Sequence, residues 1–459
     1  MTRVVIIGGG ISGLSTAYYL AKAGVPSTIV ESRPRLGGVI QTERVDGCTI
    51  EGGPDSFLSA KPAGLELIRD LGMADQVIGS NDHLRITFVQ RGGRLVPLPD
   101  GLMMMVPTRI LPLLSTRLVG LGTKIRMGLE LLRAPKPKPG DESVAEFIEE
   151  HYGREAVDYL AEPLLSGIYG GNPSELSVTS VLPRFVDLAN QYGSLTRGVL
   201  AQRAKAARSH SKAPAAPLFR TLRGGLGSMV EAIEASIGGK TEVVRARVEA
   251  VERTNGGFRI RVSGEWMEAD RLVAACEAHS ASALLREVDG RIGELLGLVP
   301  YSSSMTVALG FDAGDFARPP VGFGFLVPRK ERRRLVACTW IGTKFPYRVP
   351  DGKVVARCFL GGRDDAAVLE ESDEAVIATV TEELRRIAGV TAPVRFSRVF
   401  RWPRSMAQYS VGHPGRLREL EGRTGTIAGL HLAGNAYEGI GIPDCIRLGK
   451  AAAERIVAG

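Results

Sequence analysis

A segment of about 30 residues at the start of the chain combines a strand, a glycine-rich turn, a helix and a second strand that ends on an acid. Val4 to Ile7 is a short apolar run typical of a buried parallel strand. Gly8 to Gly13 follows it directly, and a helical apolar pattern then continues as far as Gly24. A second strand, Ser27 to Val30, precedes Glu31. This order predicts a doubly wound α/β sheet that binds a dinucleotide at the turn.

Each part of this turn has a physical role in holding a dinucleotide. Gly8 makes the tight turn, Gly10 lets a pyrophosphate approach the backbone, and Gly13 lets the helix and the strand touch. The helix N-terminus supplies N–H donors and partial positive charge for phosphates, while Glu31 can accept hydrogen bonds from ribose hydroxyls. An ordinary glycine-rich turn in an α/β protein is the alternative. The residues predicted to line the phosphates are Gly8, Gly9, Gly10, Ile11, Ser12 and Gly13.

Three further segments indicate which dinucleotide binds. A basic residue and a glycine pair follow the ribose acid in Glu31 to Gly38, and a second glycine cluster lies at Glu51 to Ser56. Near the C-terminus, Leu430 to Asn435 predicts a strand and turn, and Tyr437 to Asp444 leads into a helix that reaches Ile456. Together these segments resemble the two-domain flavoproteins of the amine oxidase and porphyrinogen oxidase superfamily.

That resemblance implies FAD, bound without a covalent link, and it assigns the segments to parts of the cofactor. Arg35 and the glycine pair would run along the pyrophosphate, the second glycine cluster would pass the ring, and Val248 would lie against the adenine. The returning C-terminal segment would aim a helix N-terminus at the pyrimidine end of the flavin, where negative charge builds on reduction. The further cofactor residues implied are Ser32, Arg35, Gly37, Gly38, Gly53, Pro54, Asp55, Ser56, Val248, Trp402, Ile440, Gly441 and Ile442.

Within the superfamily the chain resembles the oxygen-dependent porphyrinogen oxidases, which act on protoporphyrinogen IX or coproporphyrinogen III. Five phrases carry the likeness: Gly52 to Phe57, Ser166 to Gly171, Gly322 to Pro328, Phe400 to Pro403, and Asn435 to Gly439. The resemblance implies a six-electron oxidation of a porphyrinogen in haem biosynthesis, with dioxygen as acceptor and hydrogen peroxide as product. The flavin supplies the chemistry, so no side chain is nominated as acid or base. The substrate residues implied are Arg85, Gly167, Tyr169, Phe323 and Phe325.

One departure from the family pattern concerns the substrate propionates. Some members hold a propionate with an arginine on a strand, whereas the matching position here is Thr87, with Arg85 two residues earlier on the same predicted strand face. The choice between the two porphyrinogens therefore stays open. Leu98 to Gly101 and Val106 to Thr108 favour the coproporphyrinogen-oxidising branch.

Three other functions are weighed against this one. A flavin amine oxidase cages its amine between two aromatic rings, and Ala436 stands at one of those ring positions here. A carotenoid desaturase-like membrane enzyme would fail to oxidise tetrapyrroles. A non-enzymatic flavoprotein scaffold would hand porphyrin to a partner such as ferrochelatase and would release no peroxide.

The net charge of +8 is concentrated in two segments. His83 to Arg133 carries eight Lys or Arg against two acids, and Arg197 to Arg223 carries seven with no acid. Leucine, isoleucine and methionine alternate with the charges of the first segment, which is typical of an element lying on an anionic membrane surface. A packed helical subdomain with a solvated basic face is the alternative. Nucleic acid is not expected, because no recognition motif accompanies the charge.

Composition indicates a protein of the reducing cytoplasm that lies peripherally on the cytoplasmic membrane. The five cysteines are scattered without a C-x-x-C pair, and the six histidines have no metal-ligand spacing, so neither disulfides nor a metal is expected. The apolar run at Val4 is too short for a signal peptide, and no apolar stretch reaches spanning length.

The expected fold is a Rossmann-type α/β FAD-binding domain with an α+β substrate domain and a helical membrane-associating subdomain. The 459 residues divide into FAD-binding parts at 1–80, 218–290 and 425–459, a helical subdomain at 82–215 and a substrate sheet domain at 295–402. Val243 to Glu252 predicts one strand of a hairpin turned at Asn255 to Gly257. The substrate domain is predicted to contain strands Met305 to Phe311, Gly322 to Val327, Leu335 to Trp340, Val354 to Leu360 and Arg395 to Trp402, and a helix Asp373 to Ala388. A capping box at Ser143 and Glu146, a proline-rich connector from Ala134 to Gly140 and a loose stretch from Ser209 to Pro217 complete the pattern.

Overall fold

The computed structural model describes residues 2–138, 140–208 and 216–459, and these residues form two compact units. Unit 1 contains residues 2–80, 217–301 and 413–459, and unit 2 contains the described residues of 81–216 together with 302–412. The predicted loose stretch lies largely outside the described residues, as does Pro139 of the predicted connector.

Unit 1 is built around a five-stranded sheet in which every pairing is parallel. The spatial order is Thr241–Arg245, Ser27–Glu31, Val4–Ile7, Arg271–Ala274 and Leu430–Leu432. All four residues of Val4–Ile7 are buried, as expected for a central strand covered on both faces. The predicted Rossmann-type α/β fold is confirmed.

The helices of unit 1 bring the two ends of the chain together. They are Ile11–Lys22, Pro62–Asp70, Gly227–Ile237, Ala278–Leu285, Gly290–Gly297, His413–Gly425 and Ile442–Ala458. The first and last of these pack closely: Thr16 Oγ1 donates to the carbonyl of Gly449 at 3.1 Å. A Cβ built on Gly449 would overlap the carbonyl oxygen of Ser12, so the backbones of the two helices approach each other directly.

Three small antiparallel sheets complete unit 1. Their strands are Thr42–Val45 with Cys48–Glu51; Phe57–Leu58, Phe219–Leu222 and Val77–Gly79; and Val248–Thr254, Gly257–Val262 and Glu265–Ala269. The predicted hairpin at Asn255 to Gly257 is confirmed by the pairing of Thr254 with Gly257.

The prediction of one continuous strand from Val243 to Glu252 is wrong. Thr241–Arg245 joins the parallel sheet, whereas Val248–Thr254 belongs to a separate antiparallel sheet. Between them the Ala246 amide donates to the carbonyl of Val244 at 3.1 Å, which turns the chain tightly. Alternation of apolar and polar residues continues through this turn, so the pattern alone did not reveal it.

Unit 2 contains a seven-stranded mixed sheet. The spatial order is Phe396–Ala407, Tyr301–Asp312, Lys353–Gly362, Ala337–Trp340, Gly324–Leu326, Thr87–Arg91 and Arg94–Pro97. The five predicted strands of the substrate domain and the helix Asp373–Ala388 are confirmed.

The helical prediction for residues 82–215 is wrong at its start. Thr87–Arg91 and Arg94–Pro97 form a hairpin that extends the sheet, with Arg91 opposite Arg94 across two glycines. Gly92 and Gly93 both have positive φ, 57° and 74°, as a type I′ turn requires. The glycine pair was the signal for this hairpin. Two further short strands, Leu102–Met103 and Val106–Pro107, pair with each other.

From Ile110 to residue 208 the described chain of unit 2 is mainly helical, as predicted. The helices are Ile110–Ser115, Leu121–Leu129, Val144–Tyr152, Arg154–Ala156, Glu162–Tyr169, Val178–Val181, Pro183–Tyr192 and Leu195–Arg208, with a π-helical turn at Val157–Ala161 and a later short helix Ile341–Lys344. The capping box is confirmed, because Ser143 Oγ accepts from the Glu146 amide and the Glu146 carboxylate accepts from the Ser143 amide at 2.9 Å.

Short 3₁₀ segments connect these elements at Ala74–Gln76, Asp82–Leu84, Glu130–Leu132, Ala313–Asp315, Pro346–Arg348 and Ala366–Glu370. Within the described ranges, none of the helices has both the length and the apolar character needed to cross a bilayer.

Candidate functional site

The glycine turn after the first strand leaves no room for side chains at two positions. Gly8 has φ of +105°, and a Cβ there would lie 2.9 Å from the carbonyl oxygen of Ala275. A Cβ on Gly13 would overlap the carbonyl oxygen of Gly8, so helix and strand meet as predicted for this fingerprint. Gly10 differs, because a Cβ built on it meets no described atom within 4 Å. The open side of the turn therefore lies at Gly10, where it begins the helix Ile11–Lys22.

Glu31 lies at this turn and is only 7% exposed. Its Oε2 accepts from the Gly9 amide at 2.6 Å, and its Oε1 accepts from the Arg33 amide at 2.8 Å and from the Ser32 hydroxyl at 3.4 Å. A carboxylate offers about four acceptor sites, so one remains for a ribose hydroxyl after these three bonds. The structure thus brings the predicted ribose acid and the phosphate turn together.

Gly37 and Gly38 lie against the same turn, and Gly53 lies against the loop that follows them. The Gly37 amide donates to the carbonyl of Gly9 at 2.8 Å, and a Cβ on Gly38 would lie 3.1 Å from Gly10 Cα. A Cβ on Gly53 would overlap the carbonyl oxygen of Val39 in the loop that follows the glycine pair. We call the set Gly8–Gly13, Gly37, Gly38 and Gly53 the glycine cradle.

Arg35 holds the shape of this loop from within. Its guanidinium donates to the carbonyl oxygens of Leu36, Gly38 and Ile40, with the shortest bond, to Gly38, at 2.6 Å. Burial, together with neighbouring Arg33, lowers the pKa of Arg35. The sequence predicted contact with pyrophosphate but not this role in fixing the glycine pair.

The C-terminal segment meets the cradle at the start of the last helix. Gly441 is the N-cap of Ile442–Ala458, with extended backbone at φ −74° and ψ 154°, and Ile442 is buried while Ile440 is half-buried. The Cys445 thiol hydrogen-bonds with Ser12 of the first helix. Burial raises the pKa of Cys445 to about 11, so the thiol stays protonated and is a packing residue.

An ion pair that the sequence did not predict lies at the same place. Lys61 Nζ is 2.5 Å from Oδ2 of Asp444, across 383 positions in the chain. Asp444 ends a predicted cofactor segment, but its partner is too distant in sequence for a local signal to point to the pair.

The remaining predicted cofactor residues occupy different surroundings. Asp55 Oδ1 accepts from the Ser56 hydroxyl at 2.6 Å, and these residues with Pro54 are half-buried. Val248 is buried as the first residue of its strand. Trp402 is also buried, but it belongs to the strand Phe396–Ala407 of unit 2, whereas the other predicted cofactor residues belong to unit 1.

In unit 2, Gly167 and Tyr169 lie at the end of the helix Glu162–Tyr169. Gly167 is exposed, and Gly170 ends the helix in the left-handed conformation with φ of +58°. The carbonyl of Tyr169 accepts from Gln408 Nε2 at 2.6 Å, which fixes the helix end to the strand-bearing part of the unit.

Phe323 and Phe325 are both buried, but their neighbour Leu326 is not. Phe325, 2% exposed, packs in the core of the seven-stranded sheet. Successive side chains of a strand point to opposite faces, and Leu326 Cδ2 lies 3.5 Å from a Cβ built on Gly167. The face toward the helix end therefore carries Leu326.

Arg85 does not lie on the strand with Thr87, which corrects the expectation for that pair. It is exposed and follows the 3₁₀ turn Asp82–Leu84, and its amide donates to the carbonyl of Asp82. The strand begins only at Thr87, so the two side chains share no strand face.

A group of large apolar side chains in unit 2 faces solvent. Seven of them, in Ile110–Ser115, Leu121–Leu129 and Glu130–Leu132, are between 54% and 80% exposed. They are Ile110, Leu111, Leu114, Leu121, Ile125, Leu129 and Leu132, and we call them the apolar patch. Arg109, Arg117, Lys124, Arg126 and Arg133 lie in the same stretch of sequence.

The residues of the cradle fit a dinucleotide on three independent grounds. The open side at Gly10 admits a ligand, and Glu31 retains acceptor capacity. The helix N-terminus beside Gly10 has no acidic residue in its first turn to oppose a phosphate. Among the described residues, no three His, Cys, Asp or Glu side chains are grouped to hold a metal ion.

Comparison with known proteins gives consistent likenesses over the whole chain. The sequence profile of flavin containing amine oxidoreductases matches residues 11–457. Coproporphyrinogen III oxidase of Bacillus subtilis (strain 168) is 34% identical, covering 98% of this chain and 97% of that protein. Protoporphyrinogen oxidase 1, chloroplastic, of Arabidopsis thaliana is 29% identical, covering 97% and 86%. A crystal structure from Exiguobacterium sp. 255-15, provisionally assigned as a protoporphyrinogen oxidase, matches with a TM-score of 0.88 and 30% identity over 100% of this chain and 99% of that one.

Proposed function

Because the chain belongs to the flavin-containing amine oxidoreductase family, we propose that it is an FAD enzyme that oxidises a porphyrinogen to the porphyrin. Two relatives, one named coproporphyrinogen III oxidase and one named protoporphyrinogen oxidase, share 34% and 29% identity over 98% and 97% of this chain. The observation that carries the proposal is that three glycine segments pack together as the cradle and that the last helix begins beside them.

The work of this chain is binding and positioning. The cradle and Glu31 would hold the dinucleotide portion of FAD, and the start of Ile442–Ala458 would supply partial positive charge to the flavin ring. When bound, FAD accepts the electrons that the porphyrinogen loses. Oxidation is driven by the conjugation gained in the porphyrin, so the pocket must mainly present one bridging carbon and exclude competing reactions.

The titratable groups near the cradle are suited to this passive role. Burial raises the pKa of Cys276 to about 12 and raises that of Tyr437, so both stay neutral at ordinary pH. Neither is therefore poised as a general base.

On the substrate side we propose Gly167, Tyr169 and Phe323 as lining residues, and we transfer the role expected of Phe325 to Leu326. Gly167 is exposed, and Leu326 faces it, whereas the ring of Phe325 fills the core. Arg85 is exposed, and we propose that it contacts a substrate propionate. Coproporphyrinogen III is the preferred substrate in this proposal, supported by the branch-like segments at 98–101 and 106–108.

We further propose that dioxygen is the electron acceptor. We also propose that the enzyme lies peripherally on an anionic membrane. Six electrons removed two at a time should release about three hydrogen peroxide molecules per porphyrin. The apolar patch, with cations in the same stretch, supports the membrane contact. Hand-off of the porphyrin to ferrochelatase belongs to the same proposal, since a chelatase consumes this product class.

Anaerobic mixing tests the reaction directly. The FAD-loaded protein should bleach with coproporphyrinogen III and form fluorescent porphyrin, then recover its yellow colour when oxygen is admitted, with peroxide near the expected ratio. Gly441→Val should bind FAD yet turn over slowly, because its Cβ would press on the Asp444 carboxylate and disturb the helix start that is proposed to face the ring. Gly422→Val on an exposed helix serves as control. If the FAD-loaded protein yields no porphyrin from either porphyrinogen, the assignment is wrong, and a non-enzymatic flavoprotein scaffold is favoured.

A further inference from the structure

The first turn of the last helix contains a buried acid, Asp444, whose side chain lies against two glycines of the preceding loop. Asp444 is the third residue of Ile442–Ala458 and only 7% exposed. Its Oδ2 would lie 2.5 Å from a Cβ on Gly439 and 3.0 Å from a Cβ on Gly441. The carboxylate therefore occupies the space that side chains at these two positions would fill. It lies against the Ile440 to Ile442 segment that is proposed to face the flavin.

A carboxylate at this place opposes the helix field. The N-terminus of a helix acts as roughly half a positive charge, and an ionised Asp in the first turn contributes a full negative one. Taken alone, Asp444 would reverse the sign of the local field. Lys61 Nζ at 2.5 Å returns the pair to zero net charge, so the positive end of the helix is preserved.

The two partners differ in their exposure to water. The Asp444 side chain is 10% exposed and that of Lys61 is 45% exposed. Solvent screens an exposed charge but screens a buried one much less, so loss of Lys61 would leave a nearly unscreened negative charge. A second ion pair at the same helix end, Arg447 with Glu438 at 2.8 Å, has side chains 47% and 43% exposed. That pair is well screened and offers a matched control.

We propose that Lys61 and Asp444 are positioning residues that set the reduction potential of the bound FAD. The inference rests on the FAD binding of the proposed function but not on its substrate. Two electrons and one proton convert the oxidised flavin into a reduced form with one added negative charge, which a positive field favours. Removing Lys61 should disfavour that form, and neutralising Asp444 should favour it.

The test is a set of midpoint potentials of the FAD-loaded, full-length protein, measured against reference dyes during slow reduction by xanthine and xanthine oxidase. We expect Lys61→Met to shift the potential to more negative values and Asp444→Asn to more positive ones. The double variant should return close to the parent value, and Lys61→Arg should keep it, because the charge is restored. Arg447→Met should leave the potential unchanged.

A purely structural role of the pair gives a different pattern. Asp444 at the third helical position could serve only to cap the helix, and then Asp444→Asn would lower the melting temperature while both single variants kept the parent potential. That result, or shifts of the same sign in both, would overturn the proposal. If Asp444→Asn does not fold, the contrast between Lys61→Met and Lys61→Arg decides alone. No porphyrinogen enters the measurement, so a wrong substrate assignment would leave its outcome intact.

Discussion

The glycine cradle of unit 1 and the apolar patch of unit 2 are constrained in opposite ways. At Gly13 and Gly53 of the cradle a single added methyl group would overlap a backbone carbonyl. In the patch, seven large side chains keep more than half of their surface in water. Backbone geometry therefore limits which residues the cradle tolerates. The exposed side chains of the patch are limited by no contact inside the folded unit.

This difference has consequences for substitution. A change at a packed position of the cradle alters packing inside the protein and so affects folding and FAD together. A change in the patch removes surface that contributes little to the folded monomer, because exposed apolar groups gain nothing from burial until a partner covers them. Folding and binding should thus be inseparable at the packed cradle positions Gly13 and Gly53, and separable at the open position Gly10 and in the patch.

The largest effect is expected from Gly53→Ala. Its Cβ would overlap the Val39 carbonyl, so we expect a loss of about 3 kcal/mol in the free energy of unfolding, with loss of FAD. Chemical denaturation and the visible flavin spectrum measure both. Gly10→Ala is the control, because its Cβ meets open space and its φ of −69° suits alanine. It should keep most of its stability but bind FAD weakly. Equal stability losses in the two variants would contradict the distinction between packed and open positions in the cradle.

A triple change in the patch comes next. Leu111, Leu121 and Leu132 are 71% to 80% exposed, and their replacement by Ser should cost about 3 kcal/mol of membrane affinity, at about 1 kcal/mol each. Sedimentation with anionic vesicles measures the affinity, and raised salt should weaken the parent protein's binding. The melting temperature should stay within a degree or two. If sedimentation is unchanged, the patch does not bind the membrane and is only a solvated face.

Glu31→Gln tests the ribose acid with a smaller change. The carboxylate has one acceptor site beyond its three protein bonds, and loss of charged hydrogen bonds should weaken FAD binding by about 1.5–3 kcal/mol. Titration of the apoprotein with FAD measures this. If affinity is unchanged, the adenosine ribose is bound elsewhere.

Acid precipitation of the parent protein should release all its flavin, as expected of a cofactor with no covalent link.

The smallest predicted effect is a pH dependence from His431 in unit 1. Burial first, and then Arg455 and Arg271, lower the pKa of His431 to about 4. The unfolded ring takes a proton near pH 6.5 but the folded ring does not, so stability should fall as pH drops from about 6.5 to about 4. Allowing for partial exposure, we expect a loss of about 1–2 kcal/mol. His431→Gln should flatten that slope in denaturation curves, and an equally steep curve would remove His431 as its source.

Much of the cradle could be predicted from the sequence, because its signals are local. Gly8, Gly13 and Glu31 follow directly from strand, turn and helix spacing, and the helix Asp373–Ala388 follows from its apolar period. These patterns report the backbone conformation of consecutive residues. The phosphate, ring and substrate roles of individual residues stay predictions.

The sequence alone thus determined a Rossmann-type flavoprotein fold, the glycine segments that build the cradle and the apolar, basic stretch that becomes the patch. Tertiary structure decided which sheet Thr241–Arg245 joins, that Leu326 and not Phe325 faces Gly167, and that Lys61 meets Asp444. Local periodicity specifies whether a residue is in a strand and which side is apolar. It cannot specify which distant residue comes within 3 Å, because that depends on how separate elements pack against one another.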